Sequence, residues 1–166
     1  SIAVALLASL GYPVAAATGK PEQAEFLQRL GASQVVSRSS LEQGADKPML
    51  KPLWAAAVDT VGGELLFNVV KSLQYGGSVA CCGLTAGVTF KANVLPFILR
   101  GVNLLGVDSV ELPLVVKASM WDKLSLQWKL NNLDALAHEI TLAQLPAAIE
   151  HMLAAKASGR VLIKLD

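Results

Sequence analysis

Charge is scarce in this chain. Only 16% of its 166 residues are Asp, Glu, Lys or Arg, and 14 basic side chains stand against 13 acidic ones. A net charge of +1 with no block of like sign lacks the broad electrostatic footprint that nucleic acid or an anionic membrane surface recognises. There are two histidines and two cysteines. Cys81 and Cys82 are neighbours on an apparent strand and point to opposite faces, a poor pair for a disulfide or a metal, and they fit a reducing compartment. Apolar runs end after about ten residues, too short to span a bilayer. Residues 2–10 have no basic stretch before them and no processing site after them, so they do not read as a secretory signal. The chain reads as soluble and cytoplasmic. Neither an internal repeat nor a low-complexity tract occurs, and there is no G-x-G-x-x-G or G-x-x-G-x-x-G phosphate loop.

What the chain does have is apolar mass, 53% of its residues, a balance typical of parallel sheets sandwiched by helices. Residues 1–10 predict a helix that is apolar all round and therefore expected to be buried on every side. Gly11 ends it, and a short strand follows in Tyr12-Pro13-Val14-Ala15-Ala16-Ala17. Pro21 opens a second helix with Glu22 and Glu25 at its positive end, and Gly31 closes it. Further strands are expected at residues 33–38, 54–60, 78–83, 102–107 and 160–165. Tyr75-Gly76-Gly77 reads as the turn before the strand at 78–83. Helices are expected at residues 64–73 and 117–130, a helical turn at 96–100, and a final helix behind Thr141 and Gln144 or Pro146. Strands alternating with helices of this length mean βαβ units and a parallel sheet with right-handed crossovers, an α/β doubly wound architecture.

In such a sheet, ligands sit beyond the carboxyl ends of the strands. Those ends read Thr18-Gly19-Lys20, Ser37-Arg38, Asp59-Thr60-Val61, Cys82-Gly83-Leu84 and Val107-Asp108-Ser109. An NAD-preferring site places Asp or Glu at the end of the strand that Thr18 closes, to accept from the ribose 2′-hydroxyl. Here a hydroxyl, a glycine and a lysine stand instead, with Arg38 at the neighbouring strand end. Two cations that can converge on one phosphate point to NADPH. Lys20 or Arg38 alone would read as a solvated surface residue. Gly83 and Gly62 can be turn glycines, Asp59 can cap the helix after it, and Ser109 can be a loop hydroxyl. His138 and His151 fall in helical stretches away from these ends, and the tryptophans read as core or interface. The set offers no acid/base pair, so no catalytic residue and no metal ligand is assigned.

Several of these stretches, with Leu30-Gly31-Ala32-Ser33, Val58-Asp59-Thr60-Val61-Gly62, Pro96-Phe97-Ile98-Leu99-Arg100-Gly101-Val102 and Gly106-Val107-Asp108-Ser109, resemble the cofactor domain of the medium-chain dehydrogenase/reductase superfamily. The last two resemble its zinc-independent acrylyl-CoA reductase and quinone oxidoreductase branch. The resemblance runs in order over the whole chain. It implies a Rossmann-type NAD(P)-binding domain over residues 1–166, incomplete because the first strand, the glycine turn and the GroES-like substrate domain are expected before residue 1. It also implies NADPH-dependent hydride transfer to an activated alkene such as acrylyl-CoA, or to a quinone. By position, Thr18, Gly19, Lys20 and Arg38 match ribose-phosphate contacts, while Leu84, Ile98 and Ser109 match contacts toward the nicotinamide, with Gly83 beside them. Lys20 stands where the family usually has Arg, which softens phosphate selectivity. Residues 102–110 resemble the strand through which relatives form homodimers. The isolated chain is expected to be catalytically inactive; the rival reading is a non-catalytic oligomerisation or nucleotide-binding module.

Overall fold

The computed structural model describes residues 1–131 and 133–165. Seven strands and seven α-helices alternate along them: α1 (Ile2–Ser9), β1 (Val14–Thr18), α2 (Ala24–Arg29), β2 (Ala32–Ser37), α3 (Arg38–Glu42), β3 (Trp54–Asp59), α4 (Gly63–Lys71), β4 (Leu73–Cys81), α5 (Leu95–Arg100), β5 (Asn103–Gly106), α6 (Leu114–Ser125), β6 (Ala137–Thr141), α7 (Leu145–Leu153) and β7 (Arg160–Lys164). Every strand pairing among them is parallel, as the alternation requires. The result is a Rossmann-like α/β fold. No described helix is long and apolar enough to cross a membrane.

The strands form three sheets, β1-β2, β3-β4-β5 and β6-β7. Two cores follow from this division. Under β3–β5, the helix α4 presents Leu66, Phe67 and Val70 to Leu73, Val79 and Val102, all nearly inaccessible to solvent. Under β1–β2, Leu27 packs with Ala16 and Ala32, and Ala5 of α1 meets Leu30 and Leu136. The small side chains of β1, Ala15-Ala16-Ala17, let helices approach this strand closely. Among the described residues, β1 and β3 are not hydrogen-bonded to each other. On β3, Ala55, Ala56 and Val58 are exposed accordingly.

Four expectations are corrected here. The apolar helix α1 buries only Ala5, and Ile2 is 41% exposed; it packs on β1, β2 and Leu136 from one side, so its composition exceeds what these neighbours cover. Tyr75-Gly76-Gly77 lies inside β4. That strand starts at Leu73, and its pairing with β3 jumps from Trp54↔Leu73 to Ala56↔Ser78. The extra residues bulge out, with Gly76 at φ +71. The helix expected at 117–130 begins earlier and ends at Ser125, leaving Trp128 outside it with Lys123 Nζ 5.0 Å over its ring and Trp121 69% exposed. His138 lies on a strand that was not anticipated, β6, while His151 is on α7; both are exposed.

The polar stretch 39–52 has little regular structure after α3, yet side chains from α4 and α5 tie it down. Lys71, 2% exposed, donates to the carbonyls of Gly44 (3.2 Å), Ala45 (3.0 Å) and Lys47 (2.9 Å). Arg100 reaches the carbonyls of Lys71, Leu73 and Leu50 at 2.8, 3.0 and 2.7 Å. Asn68 donates to Leu41 O. This clamp fixes the path of the chain soon after Arg38.

Candidate functional site

The strand β1 ends at Thr18, opposite Ser37 of β2 in register. Beyond it the chain must turn, and Thr18 supplies the turn itself: its Oγ1 accepts from the Lys20 N–H at 3.0 Å. Ser37 performs the matching task one strand over, accepting from Ser40 N–H at 3.1 Å to cap α3, whose first residue is Arg38. Two neighbouring strand ends thus carry Lys20 and Arg38 on short, internally bonded turns. The Arg38 guanidinium lies against the Gly19 backbone, where a side-chain carbon on Gly19 would stand 3.5 Å from Cζ. Arg38 is exposed and makes no hydrogen bond or ion pair among the described residues, so its fork of donors faces solvent at the strand end. Lys20 is half-buried, and its Nζ donates to Ala157 O at 2.5 Å, across 137 residues of chain.

The ends of β3 and β4 are knitted together by backbone. Asp59 is buried, and its Oδ2 accepts from Gly62 N–H at 2.9 Å, just before α4. Cys82 N–H donates to Asp59 O at 2.9 Å and Ala86 N–H to Val61 O at 2.8 Å. Gly62, at φ +70, forms a parallel bridge with Gly87. Gly83 sits so close to Thr60 that a Cβ would fall 1.9 Å from the Thr60 oxygen. The missing side chain of Gly83 is therefore explained by packing within the protein. Leu84 is 64% exposed beside it, and Ile98, in the middle of α5, is 69% exposed. Ser109 is exposed beyond β5, next to Asp108, whose Oδ1 accepts from the Val110 and Glu111 amides. The eight residues singled out in the sequence thus fall into two groups. Thr18, Gly19, Lys20 and Arg38 share one edge of β1–β2; Gly83 and Leu84 follow β4, Ile98 lies on α5 and Ser109 follows β5. The Ala157 carbonyl, which meets Lys20, carries no signal in the sequence that could have found it.

Electrostatically, the marked feature lies away from this edge. Burial pushes the Lys71 ammonium below its ordinary value, and the nearby Asp46 and Glu64 carboxylates push it part of the way back.

A family model described as zinc-binding dehydrogenase matches residues 1–125. The chain belongs to this family. It is 41% identical over 166 residues to acrylyl-CoA reductase AcuI of Ruegeria pomeroyi, a match over 100% of this chain and 50% of that protein. Against the putative quinone oxidoreductase YhfP of Bacillus subtilis it is 45% identical over 165 residues, 99% of this chain and 50% of that one. The solved structure of yhfP with NAD bound superposes with a TM-score of 0.92 over 99% of this chain and 50% of the other. The structure of Escherichia coli K-12 YhdH with NADPH bound gives 0.91 at 41% identity, over 99% of this chain and 50% of the other. The chain thus spans about half the length of the curated relatives it matches. The resemblance read from the sequence holds for superfamily and branch.

The family's description names zinc, and the residues described here do not fit it. A zinc site needs three or four converging nitrogen, sulfur or carboxylate donors. Among the described residues, no group of three or more His, Cys, Asp and Glu could hold a metal ion. Both thiols turn to Asp59: Cys82 Sγ approaches its backbone oxygen at 3.2 Å, and Cys81 Sγ its Oδ2 at 3.9 Å.

Proposed function

We propose that this chain is the cofactor-binding part of an NADPH-dependent oxidoreductase that reduces an activated alkene, of the acrylyl-CoA type, or a quinone. The observation that carries the cofactor reading is the Arg38 guanidinium, unpaired among the described residues, lying beside Gly19 at the end of the strand that also bears Thr18 and Lys20. No carboxylate stands at that strand end to receive a ribose 2′-hydroxyl; two cations stand there instead. The solved relatives support a nicotinamide cofactor in both forms, since one holds NAD and another NADPH. The preference for the phosphorylated form therefore rests on this chain's own residues.

When bound, a nicotinamide cofactor supplies the hydride. The residues of this chain bind and orient. Arg38 offers a planar fork suited to two phosphate oxygens, and Lys20 adds a point charge. Thr18 holds the turn that sets the Lys20 backbone. The Arg38 guanidinium lies beside the Gly19 backbone. Leu84, Ile98 and Ser109 are assigned to the nicotinamide half on the resemblance, and Gly83 lets the loop carrying Leu84 approach β3. The relatives' names support the substrate class. The free edge of β5 is where a homodimer would form. The chain on its own is expected to be catalytically inactive.

Fluorescence titration with NADPH and NADH tests the reading. Tighter binding of NADPH, lost in Lys20→Ala and Arg38→Ala while NADH binding changes little, is the expected result. Equal affinity for both cofactors, or variants that bind NADPH as the parent does, would sink it. Turnover of acrylyl-CoA with NADPH by this chain alone would overturn the expectation of inactivity.

A further inference from the structure

Lys20 contributes more than charge at the strand end. Its Nζ grips the carbonyl of Ala157 at 2.5 Å, in the segment 154–159 that links α7 to β7. That segment runs through an awkward backbone path. Ala155 is the one non-glycine residue with positive φ among the described residues, at +56. Gly159 follows at φ +68, where a Cβ would fall 2.4 Å from Leu136 O. A left-handed alanine persists only where its surroundings over-determine it. The first half of the segment has local help, from Ala155 N–H to Met152 O at 2.9 Å and Lys156 N–H to His151 O at 3.0 Å. Beyond Lys156, Arg160 at the start of β7 donates to the Gly159 carbonyl at 2.9 Å, and the Lys20 ammonium ties Ala157 to the distant end of β1.

We propose that Lys20 is a coupling residue, holding the segment 154–159 in place until a 2′-phosphorylated adenosine nucleotide arrives, then releasing it. This rests on the reading of the β1–β2 edge as a 2′-phosphate site. A phosphate dianion attracts an ammonium far more strongly than a neutral carbonyl does. Arg38 has no partner among the described residues at the same edge, so the phosphate enters beside Gly19 and draws Lys20 off Ala157. Losing its tertiary pin, the segment loosens and takes the start of β7 with it. The coupling is reciprocal: whatever holds 154–159 down weakens phosphate binding. A nucleotide without the 2′-phosphate leaves the tether intact, so the two cofactor classes produce different states of the β6–β7 unit.

Hydrogen exchange of the backbone amides 156–160, read by mass spectrometry, tests this with 2′,5′-ADP as probe and 5′-ADP as control, binding being followed separately by calorimetry. In the parent chain, 2′,5′-ADP should speed exchange on the order of fivefold or more, while 5′-ADP leaves it unchanged. In Lys20→Met, exchange should be fast without ligand and insensitive to it. Lys20→Arg, which keeps a donor, should exchange slowly and respond to the probe as the parent does. Slow exchange in unliganded Lys20→Met overturns the tether. Calorimetric binding of 2′,5′-ADP with no change at 156–160 overturns the release and leaves the phosphate site standing. Absence of 2′,5′-ADP binding overturns both.

Discussion

A Cβ added to Gly83 would lie 1.9 Å from the carbonyl oxygen of Thr60. The loop after β4 is thus pressed onto the loop after β3, backbone against backbone. The neighbouring bonds, Cys82 N–H to Asp59 O and Ala86 N–H to Val61 O, allow little retreat. Gly83→Ala forces this contact apart, and overpacking of this kind costs about 1–3 kcal/mol. The urea midpoint of Gly83→Ala should fall accordingly. Gly19 is the opposite case. Its added Cβ would meet Arg38 Cζ at 3.5 Å, an ordinary contact, so Gly19→Ala should leave the midpoint within about 0.5 kcal/mol of the parent.

The same geometry predicts a cofactor switch. An aspartate at position 19 would bring a carboxylate against the Arg38 guanidinium, and the resulting ion pair would occupy the donors that a 2′-phosphate needs. It would also supply the acceptor that an NAD-preferring strand end offers to the ribose hydroxyl. Gly19→Asp should weaken NADPH binding tenfold or more, about 1.4 kcal/mol, while NADH binding holds or improves. Paired fluorescence titrations check it, and an unchanged NADPH to NADH ratio would refute the placement of Arg38.

Strand ends were legible in the sequence because they obey local rules. Thr18 and Ser37 were found at carboxyl ends because apolar runs stop there and polar turn chemistry begins, and both hydroxyls do bond the turns that follow. The helix α4 was legible at residues 64–73, and it spans Gly63–Lys71. The β4 bulge was not, since a Tyr-Gly-Gly stretch carries the same signal whether it turns the chain or only buckles a strand. Strand β6 was missed because Ala-His-Glu-Ile-Thr has no alternation strong enough to outweigh the helical residues around it. Lys71 and Arg100 look like any helix-end cations; what distinguishes them is the set of carbonyls between residues 44 and 50 that the fold brings over them. The contact between Lys20 and Ala157 spans 137 positions, and no local rule reaches that far.

Arg100 should not tolerate lysine. Its guanidinium spans the carbonyls of Leu50, Lys71 and Leu73 at once, at 2.7 to 3.0 Å. A single ammonium cannot match that fork. Hydrogen bonds from a charged donor contribute about 1.5–3 kcal/mol, and Arg100→Lys should lose about that much in urea denaturation. Because Arg100 holds the Lys71 carbonyl while Lys71 holds residues 44–47, the two sites share one network. Their double variant should be less destabilised than the separate effects combined, with a coupling on the order of 0.5–3 kcal/mol.

Lys71 itself gives a prediction with a sign in pH. Its ammonium is buried over the Phe67 ring, 5.9 Å from the centroid, and satisfies three carbonyls. Lys71→Met fills the volume but removes the charged donor shared by those three carbonyls, at a cost of about 1.5–3 kcal/mol. Burial also lowers the pKa of Lys71 below its ordinary 10.5, against the pull of Asp46 and Glu64. Between the lowered native value and 10.5, the unfolded chain holds more protons than the folded one, so stability rises with pH across that window. Below the window both states are charged, and the full penalty of burying the ammonium is present. The parent should therefore gain stability relative to Lys71→Met as the pH is raised from about 8 to about 10. Urea midpoints of the two proteins at both pH values decide the matter, and a gap that stays constant or narrows would show that Lys71 does not titrate as a desolvated ammonium.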